Sequence, residues 1–401
     1  MNRRTFLLSG TAALSLQAGC LRVSERDPQT TADTDDAIAG TTTPTESTGL
    51  NQQWRLERDV RLFNDLASTA TDGNVLTYTN SSPFADNHGF IVALDVDDGS
   101  KAWEHPKPSA VIVDLKFSDG ELYLLSSDGR LTVLDAADGT KIWDRENPFQ
   151  SEAADDPFWV GNLSIGSERI VISVSDINSD RDFSYLYGVS KESQAVEWKL
   201  DPETITSYAE TDIVRPAGIS TIDNGTVFVG FSRYTMSVEV ANGDVNWTQS
   251  SARATGPITV TESAVFVPAN SVFYSLERTN GKVRWEVNRD GPTAGNFATR
   301  PLAEGETVFV PAGDTTVYAF DRETGTSKWT GATGGPIRVA PIVTESVVWA
   351  GSRDGRIYGF DRSTGETLTS ELIGKPIVGF EAADDVLLAL TETEIVGMTA
   401  E

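Results

Sequence analysis

Short runs of alternating apolar and polar residues, separated by turns rich in Gly and Asp, follow one another from residue 52 to the end of the chain. Ile112 to Phe117, Leu122 to Ser126 and Val227 to Phe231 are examples, and each is too short for an average helix. Alternation with a period of two is typical of strands that bury one face. The pattern therefore predicts an all-β protein of short antiparallel strands.

One phrase recurs among these strands. In its clearest copy, Ala319 to Trp329, a strand ends at Asp321, the turn contains Gly325, and the returning strand carries Trp329. The Asp accepts hydrogen bonds from turn amides, and Gly tolerates the positive φ of such hairpins. Further copies are Ala93 to Trp103, Val133 to Trp143, Gly188 to Trp198, Ser237 to Trp247, Ser275 to Trp285 and, with Thr in place of Trp, Gly359 to Thr369. A repeat of this length is typical of propellers and solenoids.

The two chain ends decide how many units there are. Residues 376–399 supply three strands with Gly397 in the small-residue slot, whereas Gln52 to Glu57 contains Trp54 without a phrase of its own. We therefore expect an eight-bladed β-propeller of four-stranded antiparallel blades, with the last blade closed by the N-terminal strand; seven blades are the alternative. The Trp residues predicted to dock between blades are Trp54, Trp103, Trp143, Trp198, Trp247, Trp285 and Trp329.

Individual copies of the phrase depart from the pattern. Gln194 stands in the Gly slot of the third copy, and Glu239, Glu277 and Ser190 replace the Asp. A non-Gly residue is uncommon at a position that needs positive φ, so Gln194 is a departure from the pattern at the turn itself.

Charge narrows the choice of partner and environment. The formal charge is −27, with 59 acidic and 32 basic residues, and no basic run stands out. Binding to nucleic acid is not expected of such a chain. An acidic, Lys-poor composition is typical of proteins from salt-accumulating halophiles, and an acidic extracellular protein of a mesophile is the alternative.

The N-terminus has the features of an export signal. Arg3 and Arg4 precede an apolar run that is too short for a membrane span, so residues 1–19 are predicted to be a twin-arginine-type signal peptide. Cys20 follows Leu16-Gln17-Ala18-Gly19, which resembles a lipobox except at Gln17. As the single cysteine it cannot form an internal disulfide, and we expect it to be lipidated.

Residues 20–51 separate this lipidated end from the repeats. They are rich in Thr, Asp and Ser and cannot bury enough apolar area to fold. We expect a disordered tether that holds the propeller, residues 52–401, at the extracellular face of the cell membrane.

The sequence gives little support for metal or glycan sites. His88 and His105 lie in loop-like positions without a ligand partner at zinc spacing, and the turn Asp95 to Gly99 is interpreted as a hairpin because it recurs along the chain. No nucleophile set or phosphate loop is present. Of the Asn-x-Ser/Thr sequons, Asn80 and Asn224 lie in predicted loops.

The repeat resembles the tryptophan-docking phrase of quinoprotein dehydrogenases and of their non-enzymatic PQQ-like relatives, such as BamB of outer-membrane assembly. The resemblance covers Gln52 to Glu401 and implies the propeller fold. The enzymes carry a vicinal cysteine pair beside PQQ, calcium ligands and a catalytic Asp. Cys20 is the only cysteine here, so the resemblance implies no catalytic residues, no PQQ and no calcium for this chain.

Long loops on a rigid scaffold are where binding concentrates. Four of them, 81–88, 146–157, 176–182 and 201–212, are predicted to open on one face of the first four blades. The candidate partner residues there are Phe149, Phe158, Trp159, Arg181, Asp182 and Tyr208; alternatively these loops are solvated insertions. The leading hypothesis is a monomeric, membrane-anchored, non-catalytic scaffold that binds a protein, in envelope assembly. The alternatives are a divergent PQQ-dependent dehydrogenase and a binder of small molecules or glycans.

Overall fold

Strands, joined by turns and irregular connections, make up the part of the chain that the computed structural model describes. That part comprises residues 49–57, 68–71, 74–78, 90–106, 112–146, 159–176, 183–201, 216–289, 297, 299–383 and 385–400. It contains 32 β-strands and no helix. The strands form eight four-stranded antiparallel sheets, which are the blades of a β-propeller. The predicted all-β, eight-bladed architecture is confirmed.

The first four blades follow one another along the chain. Blade 1 is β2 (Ser68–Thr71), β3 (Asn74–Tyr78), β4 (Phe90–Asp95) and β5 (Lys101–Pro106). Blade 2 is β6 (Ile112–Ser118), β7 (Glu121–Ser126), β8 (Leu131–Asp135) and β9 (Lys141–Arg145). Blade 3 is β10 (Trp159–Ile165), β11 (Arg169–Asp176), β12 (Phe183–Ser190) and β13 (Val196–Leu200). Blade 4 is β14 (Pro216–Ile219), β15 (Thr226–Phe231), β16 (Thr235–Glu239) and β17 (Val245–Gln249).

The remaining blades complete the ring. Blade 5 is β18 (Thr259–Val260), β19 (Ala264–Ala269), β20 (Val272–Glu277) and β21 (Val283–Asn288). Blade 6 is β22 (Leu302–Glu304), β23 (Thr307–Ala312), β24 (Thr316–Asp321) and β25 (Ser327–Ala332). Blade 7 is β26 (Ile342–Val343), β27 (Val347–Gly351), β28 (Arg356–Asp361) and β29 (Thr367–Leu372). Blade 8 is β30 (Ile377–Ala383), β31 (Val386–Thr391), β32 (Glu394–Ala400) and β1 (Leu50–Glu57).

The meander order gives the propeller two different faces. Successive strands of a blade are antiparallel, so the links between them alternate between the two ends of the sheet. One end carries the turn between the third and fourth strands, which holds the repeated phrase, and we call it the motif face. The other end carries the turn between the second and third strands and the connection to the next blade, and we call it the loop face.

Blade 8 is assembled from both ends of the chain. β1 pairs with β32, and Trp54 lies opposite Gly397 in this ladder. The indole Nε1 of Trp54 donates to the carbonyl of Val96 in blade 1 at 2.8 Å. A Cβ on Gly397 would overlap the Trp54 ring, so only a residue without a side chain fits there. The predicted closure by the N-terminal strand is confirmed, and β32 has no open edge.

The other docking tryptophans repeat this contact. Trp103, Trp198, Trp247, Trp285 and Trp329 each donate from Nε1 to a backbone carbonyl of the next blade, at 2.9 to 3.1 Å. Each ring also covers the turn Gly of that blade; a Cβ on Gly365 would come within 2.6 Å of Trp329. Trp143 packs among residues of blade 3, whose turn keeps a positive φ of 57° at Gln194. The indoles therefore pack between blades as predicted.

Blade 7 achieves the same packing from a different strand. Its repeated phrase has Thr369 where the other copies have Trp, and Trp349 of the neighbouring strand β27 is fully buried. A Cβ on Gly359 would lie 2.7 Å from the Trp349 ring, in the small-residue slot that a docking Trp normally covers. Trp349 thus fills the interface with blade 8.

The hydrophobic core is divided among the interfaces between blades. Eight buried clusters occur, and each contains residues from two neighbouring blades, including the pair formed by blades 8 and 1. Because every interface has its own cluster, the ring is closed by packing all the way round.

Candidate functional site: the central channel and the loop face

The first strand of each blade lies next to the central axis. First strands of neighbouring blades contact one another, for example β6 with β10, β10 with β14 and β30 with β2. Polar residues on these strands therefore meet in the channel.

Asp114 of blade 2 is a buried carboxylate in this channel with several polar contacts. Its carboxylate accepts hydrogen bonds from the amides of Leu115 at 2.9 Å and Leu163 at 2.7 Å. The ammonium of Lys116 pairs with it at 2.7 Å, and the Asp114 side chain is only 1% exposed. Two amides and one cation satisfy this carboxylate, so it serves to join blades 2 and 3.

Arg300 reaches the same place from blade 6, which lies opposite blade 2 in a ring of eight. Its Nε is enclosed and has no hydrogen-bond partner among the described residues, although the residue as a whole keeps some accessible surface. Burial lowers the pKa of Arg300, while the carboxylates of Asp114 and of Glu381 in blade 8 act in the opposite direction. A guanidinium stays protonated even so, and it places a charge at the centre of the ring.

These side chains leave little room between them. The cavity that they line, together with Asn162, Gly218, Ile219 and Pro257, has a volume of about 10 Å³. This is close to the least that holds one water molecule, whereas ligand sites usually enclose roughly 300 Å³ or more. A tricyclic quinone does not fit in this cavity.

No group of three or more potential metal ligands occurs among the described residues. The turn at Asp95 is a hairpin: Gly99 N donates to the Asp95 carbonyl at 2.9 Å, and Asp97 N donates to the Asp95 carboxylate at 2.9 Å. His88 lies outside the described residues. His105 lies in strand β5, so its placement in a loop was wrong, and burial lowers its pKa.

The sequence-predicted partner residues cannot be placed in a site. Phe149, Phe158, Arg181, Asp182 and Tyr208 lie outside the described residues, as do most of the four long loops. Trp159 begins strand β10, where the backbone alone is described. Cys20, Arg3 and Arg4 precede the described residues. Among the sequons, Asn224 occupies an exposed turn with φ 49°, as predicted, and Asn80 lies outside the described residues.

Sequence reasoning missed a pair of tyrosines on the loop face. The hydroxyl of Tyr318 donates to Asp314 at 2.7 Å, and that of Tyr358 donates to Asp354 at 2.5 Å. Burial and then the bond to the carboxylate raise the pKa of both tyrosines. Each Asp lies in the turn between the second and third strands, so the pair fixes that turn. The signal was an Asp-x-x-x-Tyr spacing that recurs after 40 residues.

Sequence reasoning also missed a concentration of basic side chains on the loop face. Arg253, Arg338 and Arg353 lie in different connections and turns, so no basic run marks them in the chain. The fold brings them to one face, and all three are exposed.

The geometry defines the class as a tryptophan-docked β-propeller in which charged side chains converge on the central channel. Within this class the family can be assigned from the sequence. A family model described as outer membrane protein assembly factor BamB matches residues 46–285 and 236–386, and the chain belongs to this family. No curated protein matches the chain.

Solved structures support the fold across the same range. BamB from Moraxella catarrhalis is 16% identical, with a TM-score of 0.60, covering 88% of this chain and 100% of that one. The computationally designed Ika8 protein is 15% identical, with a TM-score of 0.65, covering 87% and 99%. Quinohemoprotein alcohol dehydrogenase from Comamonas testosteroni is 14% identical, with a TM-score of 0.64, covering 88% and 76%. These likenesses establish the propeller and do not assign an activity.

Among the described residues, no helix reaches the length and apolarity needed to cross a membrane.

Proposed function

We propose that this protein is a non-catalytic scaffold, held at the outside of the cell membrane by a lipid on Cys20, whose propeller binds a protein during envelope assembly. The observation that carries this proposal is the central channel. Asp114, Lys116 and Arg300 line a small cavity among the first strands, and Glu381 acts electrostatically on Arg300, which supports a structural use of these charges. Such a channel supports binding on the outer faces of the ring.

The family supports the same proposal. Its model is described as an assembly factor, and its match spans most of the propeller. A closed ring of packed blades holds its described turns and connections on one scaffold, which favours recognition of a partner without a large ordering cost.

Affinity capture from intact membranes tests the scaffold. The full chain carrying a C-terminal tag is cross-linked in its native host, and retained proteins are compared with those retained by a Cys20→Ser variant. We expect one partner to be enriched with the full chain and to be reduced for the variant, which loses the anchor. Failure to enrich any protein with the full, anchored chain would contradict the scaffold.

The alternative is a divergent quinone-dependent dehydrogenase, which the similarity to the quinohemoprotein alcohol dehydrogenase raises. Purified protein is mixed with PQQ and Ca²⁺, and bound quinone is measured by absorbance after gel filtration. We expect no quinone in the protein fraction, because the cavity lined by Asp114, Lys116 and Arg300 has a volume of only about 10 Å³. Stoichiometric quinone together with dye reduction by an alcohol would instead establish the enzyme.

A further inference from the structure

Three arginines on the loop face have no ion-pair partner among the described residues. Arg253 lies in the connection from blade 4 to blade 5, Arg338 in the connection from blade 6 to blade 7, and Arg353 in the turn between β27 and β28. All three are exposed. Their guanidinium groups are therefore available to a ligand at this face.

The backbone that carries Arg253 is held firmly. Ala252 accepts a hydrogen bond at its carbonyl from the Thr235 hydroxyl at 2.8 Å, and Ala254 N donates to the carbonyl of Phe231 at 2.9 Å. Both flanking alanines are fully buried or nearly so. Arg253 thus projects from a fixed point above blade 4.

Arg338 and Arg353 are brought together by contacts between their segments. Arg353 N donates to the carbonyl of Pro336 at 3.0 Å, and Ser352 Oγ donates to the carbonyl of Gly335 at 3.0 Å. Ile337 forms a β-bridge with Ser352. Arg338 and Arg353 follow the two members of this bridge, so both residues belong to the part of the loop face at blade 7.

The surrounding charge has the same sign. We counted charges in the described turns and connections of the loop face from blade 4 to the start of blade 8, including the strand residue on either side of each. They contain eight basic residues and two acidic ones. The basic residues besides the three arginines are Arg233, Arg289, Arg300, Arg356 and Lys375. The turns of the motif face in blades 4 to 7, counted in the same way, contain twelve acidic and four basic residues. In a chain of charge −27, this sector of the loop face is a local reversal of sign.

The two acidic residues of the sector are already engaged. Asp314 pairs with Arg289 and accepts the Tyr318 hydroxyl. Asp354 accepts the Tyr358 hydroxyl and the amide of Arg356 at 3.0 Å. Lys375 is paired in turn with Glu394 at 2.9 Å. Arg253, Arg338 and Arg353 are the exposed arginines of the sector that have no ion-pair partner among the described residues.

We propose that the loop face of blades 4 to 7 binds an acidic peptide segment of the protein partner, with Arg253, Arg338 and Arg353 pairing with its carboxylates. This proposal rests on the scaffold function proposed above and names the chemistry of its partner. Guanidinium groups bind carboxylates through two parallel hydrogen bonds, which gives geometric selectivity that a lysine patch lacks. The acidic remainder of the surface disfavours such a segment elsewhere, so the local reversal of sign selects this face at short range.

A protein segment fits this face better than a lipid surface does. β1 begins at Leu50, which pairs with Ala400 at the motif-face end of blade 8. The chain therefore joins the propeller on the face opposite the arginines. A tether on the N-terminal side of β1 would therefore leave the propeller from the motif face, and the point of attachment does not direct the arginines toward a membrane.

The binding test uses a fluorescein-labelled polyglutamate peptide and the purified propeller, at the lowest KCl concentration at which thermal melting shows the propeller to be folded. In the arginine variant, Arg253, Arg338 and Arg353 are all replaced by Gln, which keeps much of the side-chain length and removes the charge. The matched control replaces Lys101, Lys141 and Lys282 with Gln; these are exposed, lie at the motif-face end, and change the net charge equally. We expect affinity to fall on the order of tenfold in the arginine variant and to change less than about twofold in the control.

The competing outcomes are distinct. Equal weakening in both variants, or none in the arginine variant, would overturn the assignment of these residues. Binding to phosphatidylglycerol vesicles that depends on the three arginines, without binding of the peptide, would replace the peptide by a lipid surface. Thermal melting of both variants ensures that unfolding does not account for a loss.

Membrane capture separates this proposal from the scaffold function itself. If the wild-type chain captures a partner and the arginine variant loses it while the lysine control keeps it, both proposals stand. If the arginine variant retains the partner fully, the binding surface is wrong and the scaffold function survives. If the wild-type chain captures nothing, the scaffold function itself is contradicted.

Discussion

At the residue scale, the docking indole combines three contacts. Trp329 covers Gly365 of the next blade, donates from Nε1 to the Arg362 carbonyl at 2.9 Å, and lies opposite Ala319 of its own blade. It is 7% exposed. Removing such a buried aromatic usually costs about 3–5 kcal/mol, so each indole accounts for a sizeable share of one interface.

Gly365→Ala should destabilise the protein for two reasons. The residue has φ 74°, and its new Cβ would lie 2.6 Å from the Trp329 ring. Gly120→Ala is the matched control, because Gly120 has φ 79° and nothing within 4 Å of the Cβ position. We expect a loss of about 1 kcal/mol for the control and about 1–3 kcal/mol more at Gly365. Chemical denaturation measures the free energy of unfolding of both variants. Equal losses for the two would show that the Trp329 ring moves aside without cost.

The hydrogen-bonded aspartates of the motif-face turns should make the free energy of unfolding depend on pH. Hydrogen bonds from Thr324 lower the pKa of Asp321, and those from Ser363 lower the pKa of Asp361. Because the folded pKa is the lower one, this stabilisation is complete above the unfolded pKa of about 3.9 and is lost as pH falls through the folded pKa.

The double variant Asp321→Asn, Asp361→Asn should therefore show a shallower fall in melting temperature below about pH 4 than the wild type does. Melting is measured in high salt, which reduces the effect of general repulsion. Glu262→Gln, Glu366→Gln removes the same charge from exposed positions and serves as the control. An unchanged acid slope in the aspartate variant would refute the role of the turns.

At the scale of the element, blades 7 and 8 differ from the others in how they are completed. Blade 7 takes its large ring from β27, and blade 8 takes its fourth strand from the N-terminal end of the folded region. In both cases a missing part is supplied from elsewhere, and the interface with the next blade remains packed.

Trp349→Ala should cost about 3–5 kcal/mol in the free energy of unfolding, because it empties the interface between blades 7 and 8. Adding Thr369→Trp to that variant restores an indole at the usual place and should recover part of the loss. Thr369→Trp alone should destabilise, since Trp349 already occupies the space over Gly359. Denaturation of the three variants provides the measurement, and additive losses in the double variant would contradict the replacement of one ring by the other.

Deletion of residues 1–57 should open the ring, whereas deletion of residues 1–48 should leave it intact. The longer deletion removes β1 and exposes the edge of β32, together with the partners of Trp54 in blade 1. We expect lower melting temperature and self-association for the longer deletion alone, measured by calorimetry and by analytical ultracentrifugation. A monomeric, equally stable product would show that β1 is dispensable.

At the scale of the whole molecule, charge is distributed unevenly between two faces. The motif face concentrates carboxylates around its repeated turns, while the loop face of blades 4 to 7 is basic. The net charge of −27 still sets the sign of the electrostatic field far from the surface. Self-repulsion of this size opposes the compact state wherever salt is too dilute to screen it.

The melting temperature should therefore rise between about 0.1 M and about 3 M KCl. The rise should be larger than in a variant whose exposed motif-face carboxylates, Glu262, Glu306 and Glu366, are changed to Gln, because that variant has less repulsion to screen. A melting temperature that is independent of salt would contradict the halophilic interpretation of the composition.

The sequence by itself determined the repeat, the strand order and the closure of the ring. These follow from local rules: alternation places one face of each strand in the core, Gly favours the turn, and Trp usually lies opposite a small residue. Trp54 and Gly397 could be paired without coordinates, because a four-stranded blade lacked one strand at each end of the folded region.

Only the tertiary structure decided what the centre and the faces can do. Arg300 and Asp114 are far apart in the chain and meet because their blades lie opposite each other around one axis. The segments that carry Arg338 and Arg353 become neighbours through hydrogen bonds between a connection and a turn. Trp349 could not be recognised as a replacement until the space above Gly359 was known. Side chains that converge from separate blades leave no periodic signal in the sequence, because their proximity depends on the curvature of the ring.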